Sequence, residues 1–158
     1  MDTNVAVAAN GRNTHASPAC QYVCVDFLAR LVLEMPRTRI VLDKLGLIFA
    51  EYSGHLTYRG QPGVGDMFFK YLHDHMHLDK KVELVPINQN TDEARGFDEL
   101  PENLLDKDDR KFLAAAIVAK ADVINALDTD WYEKATFVAS MGVSVRQLCP
   151  EHGCPADG

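Results

Sequence analysis

The chain lacks the features that mark membrane proteins, secreted proteins and P-loop enzymes. No apolar run approaches the roughly 20 residues needed to cross a bilayer. The stretch 1–19 has no basic flank followed by an apolar block, so it does not resemble a signal peptide. The glycine-rich segment 59–66 lacks the Gly-Lys-Ser/Thr ending of a phosphate-binding P-loop. We therefore expect a cytoplasmic protein with no membrane contact.

Positive charge is also scarce. The 158 residues include 16 Lys and Arg against 23 Asp and Glu, which gives a net charge of -7. This balance disfavours attraction of the whole surface to nucleic acid, since phosphate binding normally depends on Lys and Arg. Bound divalent ions would neutralise part of the negative charge. The composition therefore allows a local nucleic-acid contact and does not exclude a nuclease.

Cysteine is limited to Cys20, Cys24, Cys149 and Cys154. In a cytoplasmic domain we expect reduced thiols. Cys20 and Cys24 lie four residues apart on a predicted helix, which is typical of two small buried side chains. A zinc site formed by Cys149, His152 and Cys154 stays open as an alternative, although its spacing matches no standard pair of ligands.

The pattern along the chain predicts alternating strands and helices. With 47% hydrophobic residues, the chain suits one domain over residues 1–148, followed by a C-terminal tail over 149–158. Strands are predicted over 40–42, 82–87, 123–126 and 143–145, and helices after Ser17 and over 43–56, 67–77, 106–121 and 131–141. This order predicts an α/β fold, a three-layer α/β/α sandwich with a mostly parallel central sheet.

Four acidic residues lie where a predicted strand ends or a helix begins: Asp2, Glu51, Asp109 and Asp128. Ligands of parallel sheets bind beyond the carboxyl ends of the strands. Two carboxylates about 5 Å apart repel each other by roughly 3 kcal/mol at an effective dielectric constant near 20. We therefore expect bound divalent cations, and hard oxygen ligands select Mg²⁺ or Mn²⁺.

Each acid also has a simpler interpretation. Asp109 could be a first-turn acid that stabilises its helix, Asp128 and Asp130 could cap helices, and Glu51 could be a solvated surface residue. Their joint arrangement favours a shared site. Four basic residues are candidate phosphate contacts because they lie near these acids in sequence: Arg12, Arg59, Arg110 and Lys111.

The order and spacing of these motifs resemble the PIN domain family of nucleases over nearly the whole chain. Asp2-Thr-Asn-Val is similar to the family's opening motif, and Glu51 follows the second strand as the second acid does. Asp109-Arg-Lys-Phe-Leu-Ala-Ala-Ala is similar to the third-acid helix, and Asp128-Thr-Asp-Trp to the closing motif. The resemblance implies a PIN-like fold.

The resemblance also implies a function. It implies an endoribonuclease that uses Mg²⁺ or Mn²⁺, with Asp2, Glu51, Asp109 and Asp128 as catalytic metal ligands, Asp130 as a further ligand, and Thr3 and Asn4 as supporting residues. Many single-domain members are toxins of toxin-antitoxin pairs, so an antitoxin protein and a homodimer are further expectations. The alternative is a PIN-fold nucleic-acid-binding or regulatory module without cleavage activity.

One departure from the family concerns the first strand. Family members usually carry several apolar residues before the first acid, whereas here only Met1 precedes Asp2. Either residues 5–8 form this strand or the true start lies upstream. A positive α-amino group beside Asp2 would weaken metal binding. We therefore expect an apolar extension before Met1 to tighten the binding of Mn²⁺.

Overall fold

The computed structural model describes residues 1–34, 37–78 and 80–154. Its helices are α1 (Thr3–Asn10), α2 (Pro18–Leu33), α3 (Leu47–His55), α4 (Val64–His75), α5 (Arg110–Ala119), α6 (Asp130–Glu133), α7 (Ala135–Ser140) and α8 (Pro150–Gly153). Its strands are β1 (Ile40–Asp43), β2 (Val82–Val85), β3 (Val123–Asn125) and β4 (Val145–Gln147). Within these ranges no helix is long and apolar enough to cross a membrane.

The strands form two small parallel sheets. β1 pairs with β2 in the register Ile40 to Val82, and β3 pairs with β4 in the register Val123 to Val145. Both sheets pack against helices, so the fold is mixed α/β with parallel strands, as the alternating pattern predicts. The strands of the described residues do not join into one continuous central sheet.

Residues 5–8 do not form a strand, which was one of the two alternatives for the first strand, because this segment belongs to helix α1. Asp2 caps the helix, since its Oδ1 accepts a hydrogen bond of 3.0 Å from the backbone N–H of Asn4. Alanine, the best helix former, recurs at Ala6, Ala8 and Ala9, which are all buried. A strong cap followed by helix-favouring residues therefore outweighs the β preference of the two valines.

Helix α5 lies at the centre of the molecule. It contacts β1, β2 and β3, so both sheets rest against the same helix. Leu113 and Ala114 are completely buried, as expected for a helix that is apolar on every side. The helix begins at Arg110, whereas the sequence predicts a start at residue 106, and Asp109 therefore lies just before its first turn.

A disulfide joins Cys20 of α2 to Cys149, which contradicts the expectation of reduced thiols. The two residues are 129 positions apart, so their contact arises from packing that local sequence does not reveal. Cys149 is thus not a free thiolate for the zinc site considered above. The nearby His152 is fixed as well, because its Nε2 accepts a hydrogen bond of 3.0 Å from the Ser17 N–H.

The C-terminal tail is described only to residue 154, and the boundary at 148 stays a prediction.

Candidate metal centre

Three of the four predicted acids meet in space. Asp2, Asp109 and Asp128 each offer a carboxylate oxygen, and these oxygens lie within 4.8 Å of one another. They line a cavity of about 680 Å³ whose wall also includes Thr3 and Glu51. We call this space the acidic cavity. Its acids come from the start of α1, the start of α5 and the loop after β3, which are far apart in sequence.

Asp2 is held rigidly and is 5% exposed. Its Oδ2 accepts a hydrogen bond of 2.8 Å from the indole N–H of Trp131, which is itself fully buried. Burial raises the pKa of Asp2 to about 6, and the charge of Asp128 adds to this effect. The hydrogen bonds from Asn4 and Trp131 act in the opposite direction. Asp2 is therefore oriented for binding but is desolvated when it is charged.

The α-amino group of Met1 behaves differently from the expectation. Burial lowers its pKa to about 6, although the charge of Asp2 opposes this change. Most copies of this amine are therefore neutral at pH 7. The positive charge expected beside Asp2 is present mainly below pH 6.

Asp109 is the most strongly perturbed acid. It is 6% exposed, and its Oδ2 is buried without a hydrogen-bond partner. Burial, together with the charges of Asp2, Asp128 and Asp130, raises the pKa of Asp109 to about 9. A buried carboxylate oxygen without a partner is costly unless it binds a proton or a cation. Asp109 is thus well placed to act as a metal ligand.

Asn4 positions the loop that carries Asp128. Its side-chain oxygen accepts hydrogen bonds of 3.0 and 3.2 Å from the backbone N–H groups of residues 126 and 127. Its amide group donates to Oδ1 of Asn125, and Asn125 in turn donates to the carbonyl oxygen of Asp128. Asn125 is completely buried and was not predicted from the sequence. Oδ1 of Asp128 accepts a hydrogen bond of 2.9 Å from the backbone N–H of Asp130.

A second acidic group shares one member with the first. Carboxylate oxygens of Asp106, Asp109 and Asp130 lie within 4.8 Å of one another. Asp130 also accepts a hydrogen bond of 2.9 Å from the backbone N–H of Asp106. Asp106 was not predicted from the sequence, although its position three residues before Asp109 could have indicated it. Asp109 is therefore common to two groups of carboxylate oxygens.

Glu51 lies at the wall of the acidic cavity but belongs to neither acidic group. Its Oε1 accepts a hydrogen bond of 2.6 Å from the Thr3 hydroxyl, and its Oε2 pairs with the ammonium group of Lys111. The Lys111 side chain is only 12% exposed. The negative charge of Glu51 is therefore balanced by a lysine of α5. The three clustered aspartates have no such lysine partner among the ion pairs of the described residues.

Two of the four candidate phosphate contacts have structural partners instead. Arg12 forms an ion pair of 2.5 Å with Asp66, a residue that is buried. Arg110 is 7% exposed and donates to backbone carbonyl oxygens of residues 93, 103 and 105. Arg59 is exposed and does not line the acidic cavity. Of the four residues, Lys111 is the one whose ammonium group reaches an acid of this cavity.

Comparison of the chain with protein-family models, with curated proteins and with solved structures finds no match. The donor groups of the site therefore indicate its chemistry. The donors of the two acidic groups are carboxylate oxygens, which are hard ligands that suit Mg²⁺ and Mn²⁺ better than zinc. The residues present thus fit a hard divalent cation.

Proposed function

We propose that the protein is a metal-dependent nuclease that hydrolyses phosphodiester bonds of RNA, with a PIN-like arrangement of its acids. The observation that carries this proposal is the buried Oδ2 of Asp109, which has no partner although two further carboxylates lie beside it. A buried carboxylate without a partner destabilises the fold, and a bound cation would remove this cost. The motifs that resemble the PIN domain family support the same conclusion.

The roles of the acids follow from their positions. Asp2, Asp109 and Asp128 would hold Mg²⁺ or Mn²⁺, while Asp106 and Asp130 would provide further oxygens near Asp109. The cation would supply the positive charge that stabilises negative charge developing on a phosphate group. Trp131 and Asn4 act by orienting Asp2 and the loop of Asp128 through the hydrogen bonds described above.

The remaining wall of the cavity suits a nucleic-acid backbone. Polar side chains at its edge include Asn13, Thr14, His15 and His55. Lys111 adds a cation at the Glu51 side, where it can bind a phosphate oxygen once a metal ion offsets the charge of the acids. Because the net charge is -7, substrate binding depends on this local set of groups.

Cleavage assays test the proposal directly. The protein is incubated with labelled single-stranded RNA and single-stranded DNA in Mn²⁺, in Mg²⁺ and with a chelator, beside the variant Asp109→Asn. The control is Glu102→Gln, which removes one negative charge from an exposed residue outside the acidic cavity. We expect metal-dependent cleavage of RNA by the wild type and the control, and none by Asp109→Asn.

Two results would contradict this function. Equal cleavage by the wild type and Asp109→Asn would show that the cluster is not catalytic. Binding of RNA without cleavage in either metal would instead support the alternative of a PIN-fold binding or regulatory module. Preferential cleavage of DNA would retain the mechanism but change the substrate.

A further inference from the structure

A group of three sulfur atoms lies between α2 and the start of α8. Cys20 and Cys24 share one face of α2, and Cys149 directly precedes α8. The three sulfurs lie within 4.8 Å of one another, and all three residues are buried. We call them the cysteine cluster. None of them lines the acidic cavity.

Cys24 is the free thiol of the cluster, beside the disulfide of the other two cysteines. Burial, together with the charge of Glu151, raises the pKa of this thiol to about 11. At neutral pH the thiol is therefore protonated. It does not attack the neighbouring disulfide, because the thiolate is the nucleophile in thiol–disulfide exchange. The thiol and the disulfide thus coexist, although their sulfurs are neighbours.

A nitrogen donor lies beside the cluster. His152 and Glu151 each offer a ligand atom within 4.8 Å of the Cys20 sulfur. Structural zinc sites combine thiolates with imidazole, and three cysteines with one histidine is a standard ligand set. His152 is therefore a better fourth ligand than Glu151. This set contains sulfur and nitrogen, so it differs in chemistry from the carboxylates of the acidic cavity.

The spacing and the distances suit a tetrahedral site once the disulfide is open. Cys20 and Cys24 are separated by three residues, within the spacing of roughly two to four residues that is typical of zinc-binding cysteine pairs. A Zn–S distance of about 2.3 Å places the sulfurs of such a site about 3.8 Å apart. The distances from the Cys24 sulfur exceed this value by at most about 1 Å. The sulfurs of Cys20 and Cys149 move apart when their bond breaks.

We propose that the reduced cysteine cluster is a structural zinc site, in which its three thiolates and His152 hold one Zn²⁺. A dithiol reductant first gives two electrons and two protons to the Cys20–Cys149 bond, which yields two thiols and the disulfide of the reductant. Zn²⁺ then displaces the protons of the three thiols into solvent. His152 exchanges its hydrogen bond from Ser17 for the ion, because a neutral imidazole has one acceptor nitrogen.

Both forms of the cluster link α2 to the segment that follows β4. The disulfide provides this link under oxidising conditions, and zinc provides it where thiols are kept reduced. The link is close to β3, because Leu148, the residue before Cys149, donates a hydrogen bond of 2.8 Å to the carbonyl oxygen of Asn125. The zinc site does not depend on the proposed nuclease function, since its ligands lie outside the acidic cavity.

Cobalt binding tests the proposal with the full chain. The chain is reduced with a phosphine and then titrated with Co²⁺ in the absence of oxygen. Cobalt thiolates absorb strongly in the near ultraviolet through sulfur-to-cobalt charge transfer, whereas cobalt bound to carboxylates does not. The matched variants are Cys24→Ser, which keeps the disulfide, and Cys154→Ser, which removes the other free thiol of the described residues. The oxidised chain is a second control.

We expect the reduced wild type and Cys154→Ser to bind one Co²⁺ per chain with this absorption, and Zn²⁺ to displace it. The oxidised chain should not show the absorption. Cys24→Ser and His152→Ala should weaken Zn²⁺ binding by more than about 100-fold, because the loss of outer hydrogen-bond partners alone costs roughly 10- to 100-fold. If reduction unfolds the chain, as followed by circular dichroism, Zn²⁺ should restore the fold.

Four results would overturn the zinc site. They are a reduced wild type without charge-transfer absorption, an affinity of Cys24→Ser equal to that of the wild type, loss of the absorption in Cys154→Ser, and a reduced chain that stays unfolded with Zn²⁺. An unchanged affinity of His152→Ala would overturn the assignment of the fourth ligand. Because no cleavage is measured, these results leave the proposed nuclease function to its own assay.

Discussion

Replacement of Asp109 by asparagine should stabilise the metal-free protein at neutral and alkaline pH. The pKa of Asp109 is raised from 3.8 to about 9 in the folded protein, so the folded form keeps a proton that the unfolded form releases. Stability from this proton is complete below about pH 4 and is lost as the pH rises towards 9. The loss is about 1.4 kcal/mol per pH unit, or about 3 kcal/mol between pH 6 and pH 8. The asparagine side chain cannot ionise, so its contribution to stability does not change with pH.

The assay is urea unfolding in the presence of a chelator at several pH values, for the wild type, Asp109→Asn and the control Glu102→Gln. We expect the free energy of unfolding to fall with pH in the wild type and the control, and to fall much less in Asp109→Asn. Below pH 6 a residual slope should remain, because burial also raises the pKa of Asp2 to about 6. Parallel pH profiles for Asp109→Asn and the wild type would refute the reasoning.

Three further predictions concern the surroundings of the site. Lys111→Met should lower the Kd of Mn²⁺ measured by calorimetry, because it frees the carboxylate of Glu51; an unchanged Kd would place Glu51 outside the ligand set. Asn4→Ala removes three hydrogen bonds to β3 and its loop and should cost about 2 to 3 kcal/mol in urea unfolding. Cys20→Ser should cost about 2 to 5 kcal/mol under oxidising conditions, whereas Cys154→Ser should cost little, because its thiol is free. Equal stability of the two cysteine variants would show that the disulfide does not form.

The sequence predicts that distant acids meet, because the carboxyl ends of parallel strands form one ligand-binding edge. Asp128 follows a strand of a parallel pair and Asp109 precedes a helix that packs on it, so both reach the same end of the sheet. Asp2 joins them because its backbone N–H bonds to Ile124 of β3. The positions of Asp109 and Asp128 follow from the order of elements, whereas the position of Asp2 depends on this hydrogen bond.

Other features depend on packing and could not be predicted in the same way. The pairing of Glu51 with Lys111 depends on how α3 and α5 lie against each other. The contact of Cys20 with Cys149 requires the whole fold to bring α2 near the end of β4. The segment 5–8 alternates in a manner that suits either a strand or a helix, and the cap at Asp2 decides between them.

The central claim is that Asp2, Asp109 and Asp128 share a bound divalent cation. The most direct test is anomalous diffraction from crystals grown or soaked in Mn²⁺ near neutral pH. We expect an anomalous peak within about 2.2 Å of a carboxylate oxygen of each of these residues, a typical metal–oxygen distance. A peak elsewhere, or none at a Mn²⁺ concentration that supports RNA cleavage, would contradict the account.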